Sequence, residues 1–280
     1  MSSDVNPLYV YLNGEFLPAE NAFLHINDLA ILRGYGIFDF FRLQNGHPLF
    51  LKDYLQRFYA SAQLMQLPVP VSQEELEAII HQLSQKNQLE SAGVKLVLTG
   101  GYSANGYDLA LPNFFITQQP ITLPSLDQVK TGMKIITHEF VRELPVAKTI
   151  NYTTGIRLIQ KVRDQRADDV LYHKHGVVTE FPRSNFFLVK QDNTVVTPSR
   201  DILLGITRKN VLALAQKKFN VQETDVTLQD IAEAKEAFMT STTKRIMPLV
   251  EVDGKPVGSG TPGPVTLELL QDFLVLEQNR

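Results

Sequence analysis

The sequence contains no cysteine. That absence excludes disulfide bridges, thiolate metal ligands and a cysteine nucleophile together. No apolar run comes near the roughly 20 residues a membrane helix needs. The start, MSSDVNPLYV, has no cationic head, no long apolar stretch and no small-residue cleavage pattern. No membrane association is expected, and a reducing cytoplasm is the expected compartment. Charge of one sign is also lacking: 27 Lys and Arg stand against 30 Asp and Glu, a formal net charge of -3. With both signs mixed along the chain, no basic stripe is available for phosphodiesters and no polybasic anchor for lipid, so no nucleic acid is expected as a partner. Internal repeats, low-complexity tracts and regular βαβ alternation are missing as well.

What is present is 280 residues, 44% of them hydrophobic, enough for two domains each with its own core. YVYLNGEFLP reads as a hairpin, because Asn13-Gly14 supplies the positive backbone angles of a two-residue turn, and GIFDFFRLQNGHPLF repeats the device at Asn45-Gly46. Helical spacing follows in LKDYLQRFYASAQLM and in SQEELEAIIHQLSQKN, where Ser72 and Glu75 fit a capping box. VKLVLTG and NFFITQ read as strands. Later come the strand MKIITHEF, a helix over about 153–167, two strand-turn-strand units in DVLYHKHGVVTEF and SNFFLVKQDNTVVTP, a helix from about Thr207, the strand AFMTST, a hairpin at Asp253-Gly254 and a closing helix. These elements predict an α+β (mixed α/β) fold and not a doubly wound one. The two prolines in TQQPITLPSLD, which has no periodic pattern, predict a division into a smaller N-terminal α/β domain (1–118), a linker (119–127) and a larger C-terminal domain (128–280).

Some stretches carry chemistry. In LPVAKTINYTTGIRLIQK, Lys148 sits among Val146, Ala147 and Ile150, poor company for a solvated ammonium. In LGITRKNVLAL, Gly205, Ile206 and Thr207 lead straight into a helix, where unpaired N–H groups and the positive helix end favour an anion. In FMTSTTKR a strand ends in four hydroxyls, Thr240, Ser241, Thr242 and Thr243. Each stretch alone is more often a cap or a polar turn. Together they suit a phosphate, which wants several donors and a cation, and Arg57 in DYLQRFYASA is a candidate cation. Taken alone, Arg57 reads as a solvent-facing helix arginine. GSGTPG, from Gly258 to Gly263, matches a dinucleotide fingerprint in letters only, since the chain ends before the required second strand and acid. It reads as a hairpin exit and a helix start. His173 and His175 alternate, but the sequence nominates no third ligand, so no metal is expected.

In this order and at these separations, RGYGIFDFFR, LQRFYASA, AKTINY, VVTEFPRSNFF, LLGITRKNV and TSTTKRIMPLVEVDG resemble the class IV, fold-type IV pyridoxal-phosphate enzymes. These are the branched-chain aminotransferases, D-amino-acid aminotransferases and aminodeoxychorismate lyase. The resemblance runs from about residue 8 to residue 255, and several ordered motifs are far more specific than any one. It implies a two-domain, D-amino-acid aminotransferase-like fold with pyridoxal 5'-phosphate in the cleft, and a homodimer in which a loop of the other subunit completes each site. Lys148 matches the Schiff-base lysine, and apolar company fits that role, because it disfavours the charged amine. Glu180 matches the carboxylate that pairs with the pyridine nitrogen. Arg57, Gly205, Ile206, Thr207, Ser241, Thr242 and Thr243 fall on the phosphate-binding motifs, and Tyr152 is matched to the residue that meets the phenolic oxygen, with a spacing one residue shorter.

The departures concern substrate. Asp39 stands where transaminases of the family carry Glu and the lyase a threonine. TGGYSANGY lacks the Arg and His of the D-amino-acid enzymes, and GVKLVL lacks the arginine of the branched-chain enzymes. Arg42 and Arg183 are therefore the candidate cations for the substrate carboxylate, and Phe38, Phe40 and Tyr102 the candidate pocket lining. Structural alternatives are an ion pair for Arg183 and ordinary core packing for the strand phenylalanines. The resemblance implies an aminotransferase moving an amino group between an amino acid, branched-chain ones included, and a 2-oxo acid. An aminodeoxychorismate lyase is the alternative. A non-catalytic binding or scaffold protein, whose motifs serve packing, is an alternative of another class, and a racemase or decarboxylase on the same cofactor ranks last.

Overall fold

A computed structural model describes residues 7–279. The opening MSSDVN lies outside the described residues. The chain divides into two compact units, one running up to Ile121 and including Ala147–Asn151, the other formed by Thr122–Val146 and the chain from Tyr152 onward. The chain passes from the first unit to the second between Ile121 and Thr122. Among the described residues no helix is long and apolar enough to cross a membrane.

The first unit holds β1 (Tyr9–Leu12), β2 (Glu15–Pro18), α1 (Leu29–Arg33), β3 (Gly36–Gln44), β4 (His47–Pro48), α2 (Leu51–Leu64), α3 (Gln73–Asn87), β5 (Ser91–Thr99) and β6 (Phe114–Pro120). Its strands form one antiparallel sheet in the order β2-β1-β6-β5-β3-β4. The hairpins expected at Asn13-Gly14 and Asn45-Gly46 are there, both residues of each turn having positive φ. The capping box of α3 is there too, with Ser72 and Glu75 each bonded to the other's backbone. Strand periodicity gives Ile37, Asp39, Phe41 and Leu43 one shared face of β3, and all four are buried. Tyr54, Leu55, Phe58, Ser61 and Ala62 form the buried stripe of α2. Each fully buried phenylalanine of this core stabilises the unit by about 1.5–3 kcal/mol relative to exposure.

The lysine segment is where expectation and structure part. Lys148 was expected in the second domain, but Ala147–Asn151 belongs with the first unit. The reason is backbone pairing with β3: Phe38 N–H donates to Lys148 O at 2.9 Å, Ile150 N–H to Gly36 O at 3.1 Å, and Ile37 bridges Thr149.

The second unit contains α4 (Leu126–Thr131), β7 (Met133–Glu139), α5 (Thr153–Arg157), α6 (Ile159–Asp164), β8 (Asp169–Lys174), β9 (Val177–Val178), β10 (Asn185–Val189), β11 (Val195–Thr197), α7 (Ile206–Ala215), β12 (Val221–Glu223), α8 (Leu228–Ala232), β13 (Glu236–Ser241), β14 (Arg245–Val252), β15 (Lys255–Pro256) and α9 (Pro264–Gln278). Its sheet runs β12-β11-β10-β13-β14-β7-β8-β9, with β15 paired to β14. The β11–β12, β14–β7 and β7–β8 pairs are parallel and the rest antiparallel. This is the mixed sheet the sequence predicted. The single helix expected over about 153–167 is instead two, broken at Leu158, whose ψ of -8 ends α5. Gly155 weakens that helix, and the break falls where Leu158 and Val162 both pack against Ile136, Val170 and Tyr172.

Candidate functional site

In the first unit the chemistry gathers around Lys148. Its N–H donates to the buried Ser61 Oγ at 3.1 Å and its carbonyl accepts from Phe38, so the backbone is clamped on both sides. The Lys148 amine stands 4.5 Å from the centroid of the Phe38 ring. A second amine, that of Lys95 on β5, stands 5.4 Å from the same centroid. On the alternate face of β3 the side chain of Asp39 is wholly buried, and Arg57 on α2 donates to it from Nε at 2.9 Å and from Nη2 at 2.6 Å. The guanidinium also lies over the Tyr54 ring, 5.3 Å from its centroid. Arg57 is thus no solvent-facing helix arginine. Its side chain is 11% exposed.

The other first-unit candidates are placed as follows. Arg42 is buried in β3. Tyr102 is half exposed, bridges Asp28 and packs edge-on against His25. The Phe40 ring covers Gly93, where a Cβ would come within 2.3 Å of it. A cavity of about 670 Å³ in this unit, lined by Lys52, Gln56, Tyr59 and Leu67 among others, includes none of the candidates.

In the second unit the organising group is the buried Glu180 carboxylate. Arg142 Nε donates to its Oε1 at 2.7 Å and Leu203 N–H to its Oε2 at 2.8 Å, which fixes the acid's orientation. Arg142 also donates from Nη2 to the Pro145 carbonyl at 2.5 Å. Burial, with the Asp169 and Glu180 carboxylates nearby, pushes the Tyr172 hydroxyl up to about 12, so it stays protonated. Tyr152, half-buried, precedes α5.

Gly205 caps α7, and Ile206 and Thr207 open it, both buried. The first N–H groups of such a helix have no partner within it. Across the sheet, Ser241 Oγ accepts from Lys244 N–H at 3.1 Å, which gives that hydroxyl a turn-closing job, and Thr243 lies exposed at the turn. Thr240 Oγ1 and Ser184 Oγ are buried without a hydrogen-bond partner. Such hydroxyls carry a desolvation cost until a polar group meets them. A buried carboxylate, a helix N-terminus and these hydroxyls make a donor and acceptor set suited to a ring nitrogen and a phosphate. The residues present therefore fit pyridoxal 5'-phosphate.

Arg183 is exposed and makes no ion pair among the described residues. Burial lowers the Lys244 amine below the usual lysine range against the opposing pull of Asp169, whose carboxylate lies 3.7 Å away, and the Arg183 charge adds to the lowering.

Several residues were not foreseen from sequence: Arg142, Ser61, Asn185, Lys95 and Lys244. Lys95 lies within GVKLVL, the stretch that lacks the arginine of the branched-chain enzymes. Asn185 lies within VVTEFPRSNFF, as a polar residue opening an apolar strand.

The chain matches the family model "Amino-transferase class IV" over residues 36–252. A D-alanine aminotransferase of Listeria monocytogenes is 34% identical over 275 residues, covering 95% of this chain and 94% of the relative. A T.th. branched-chain amino acid aminotransferase with pyridoxamine 5'-phosphate superposes with a TM-score of 0.91 at 26% identity, covering 99% of this chain and 96% of that one. The branched-chain amino acid aminotransferase from Escherichia coli gives 0.88, also at 26% identity, covering 97% and 95%.

Proposed function

The chain belongs to the class IV aminotransferase family, and on that premise we propose that Lys148, Glu180, Arg57 and the Gly205–Thr207 turn are its working residues. It is a pyridoxal-phosphate-dependent transaminase, moving an amino group between an amino acid and a 2-oxo acid. Its fold is that of the fold-type IV enzymes. When bound, pyridoxal phosphate supplies an aldehyde to take up nitrogen and a ring to accept the electron pair left as the Cα proton departs.

The clamped Lys148 carries this reading. Its peptide is fixed on both sides, and its amine stands 4.5 Å from the centroid of the Phe38 ring, so the side chain is held in one place. In this reading the amine would be the group that holds the cofactor, and it would carry a proton to and from the substrate Cα. Glu180, oriented by Arg142 and Leu203, holds a protonated ring nitrogen. In the first unit Arg57 would be the cation offered to a phosphate, and in the second the amides opening α7 would be its donors. Lys95 supplies the cation for the substrate carboxylate, supported by its amine sharing the Phe38 ring with that of Lys148. Apolar donors, alanine and the branched-chain amino acids, suit Phe38 and Phe40 as lining.

A homodimer is part of the proposal. Phe23, Ile26, Ile31, Tyr107, Leu109 and Leu111 are all exposed. Their two segments are tied by Leu29 N–H to Gly101 O at 3.0 Å and Ser103 N–H to Asn27 O at 3.1 Å. A contiguous apolar face of this kind marks an interaction surface. The cytoplasm is kept as the compartment on composition alone.

Borohydride reduction of the loaded protein, followed by peptide mapping, tests the assignment. The pyridoxyl group is expected on Lys148; finding it elsewhere, or nowhere, would sink the reading. A panel of D- and L-donors against 2-oxoglutarate and pyruvate tests the substrate class, and inactivity with every apolar donor would refute it.

A further inference from the structure

Asn185 opens β10 and is 5% exposed. Its Nδ2 donates to the Leu203 carbonyl at 2.7 Å. The N–H of the same Leu203 donates to Glu180 Oε2 at 2.8 Å. Residue 203 is therefore gripped from both sides, by the carboxylate at its N–H and by the asparagine at its C=O. Glu180 and Asn185 also face each other in an isolated antiparallel bridge, with Phe181 N–H donating to Ser184 O at 2.9 Å.

Two residues beyond Leu203 the chain reaches Gly205, the cap of α7. Its φ of -65 is one that any residue adopts, so the backbone does not demand glycine there. Space does: a Cβ would come within 2.1 Å of Asn185 Oδ1. In register across β13 stands Thr240, with its unpartnered hydroxyl.

We infer that Asn185 is a positioning residue that holds the Glu180 carboxylate and the Gly205–Thr207 anion cradle at one fixed separation. A cofactor that carries its phosphate on a one-carbon tether from a flat ring spans only a narrow range of distances from ring nitrogen to phosphorus. Its two ends gain full binding only if their partners are already set apart by the right distance. The amide of Asn185 holds the carbonyl of the residue whose N–H meets the carboxylate, and closes the space beside the helix cap, so one side chain governs both ends. The inference rests on the transaminase reading. That reading stands or falls separately, on whether the unaltered chain binds pyridoxal phosphate at all.

The test titrates the apo-chain with pyridoxal phosphate, with pyridoxal and with inorganic phosphate, by absorbance and calorimetry, alongside its thermal midpoint. Asn185→Ala should weaken pyridoxal and phosphate alike, each by about tenfold, the effect of losing one buried hydrogen bond. Gly205→Ala should weaken the phosphate end in the parent, and add little once residue 185 is alanine or serine, because the obstructing oxygen is gone. Weakening of one probe only, a lowered midpoint with binding intact, or a Gly205→Ala effect indifferent to residue 185 would each overturn the inference. If Asn185→Ala does not fold, Gly205→Ala compared with Gly205→Ala plus Asn185→Ser decides it.

Discussion

Arg57 grips Asp39 with two of its nitrogens, at 2.9 and 2.6 Å, and the carboxylate so held is completely removed from solvent. A guanidinium has five N–H donors, and spending two of them on Asp39 fixes the plane in which the others point. Asp39→Ala leaves a largely buried cation without its carboxylate and should cost about 3–5 kcal/mol, read by urea unfolding of the apo-chain. It should also weaken pyridoxal phosphate, because the cation loses its aim. Unchanged unfolding would mean that the pair is not formed in solution.

Glu180 makes a parallel case with the roles reversed. Glu180→Gln keeps the shape of the side chain but removes the charge that keeps a ring nitrogen protonated. Turnover should fall by about 10²–10⁴-fold, the range in which single proton-handling groups act, with cofactor absorbance retained. Arg142→Met should slow turnover less and destabilise the fold more, since it strips a buried acid of its ion partner. Equal kcat for Glu180→Gln and the parent would remove the carboxylate from the mechanism.

Much of this was legible in the sequence, for a local reason. Asn13-Gly14, Asn45-Gly46 and Asp253-Gly254 declare hairpins because two adjacent positive φ angles are a property of the turn itself. Ser72 and Glu75 declare a helix start because they bond each other's backbone three residues apart. Lys148 stood out by its neighbours. What was hidden depends on distant contact. Asp39 looked only like a departure from a pattern, since its partner lies in another element. Arg142 and Asn185 matter through Glu180 and Leu203, which nothing in their own neighbourhoods names. Nothing in GVKLVL marks Lys95, and only the fold brings its amine to the Phe38 ring.

The apolar face on the first unit sets an expectation for mass. Light scattering should give about twice the 31.5 kDa of one chain. Leu111 and Ile26 are exposed to 84% and 71%, so charging them disturbs no core. Ile26→Glu with Leu111→Glu should shift the species toward one chain while leaving circular dichroism unchanged. A parent chain already monomeric at micromolar concentration would refute the dimer.

His138 gives a pH dependence whose sign can be worked out. Burial first, and then the charges of Lys161, His173 and Arg157, hold its folded pKa below the ordinary 6.5. Between the folded and unfolded values the unfolded chain binds more protons, so unfolding free energy rises with pH across that window. The contribution is complete above 6.5 and disappears as pH drops through the folded value. The thermal midpoint should therefore fall on acidification from pH 7 to 5, and His138→Gln should flatten part of that fall while matching the parent at neutral pH. The same slope in both proteins would show that His138 takes up its proton equally well folded and unfolded, and that the cations around it are too well solvated to matter.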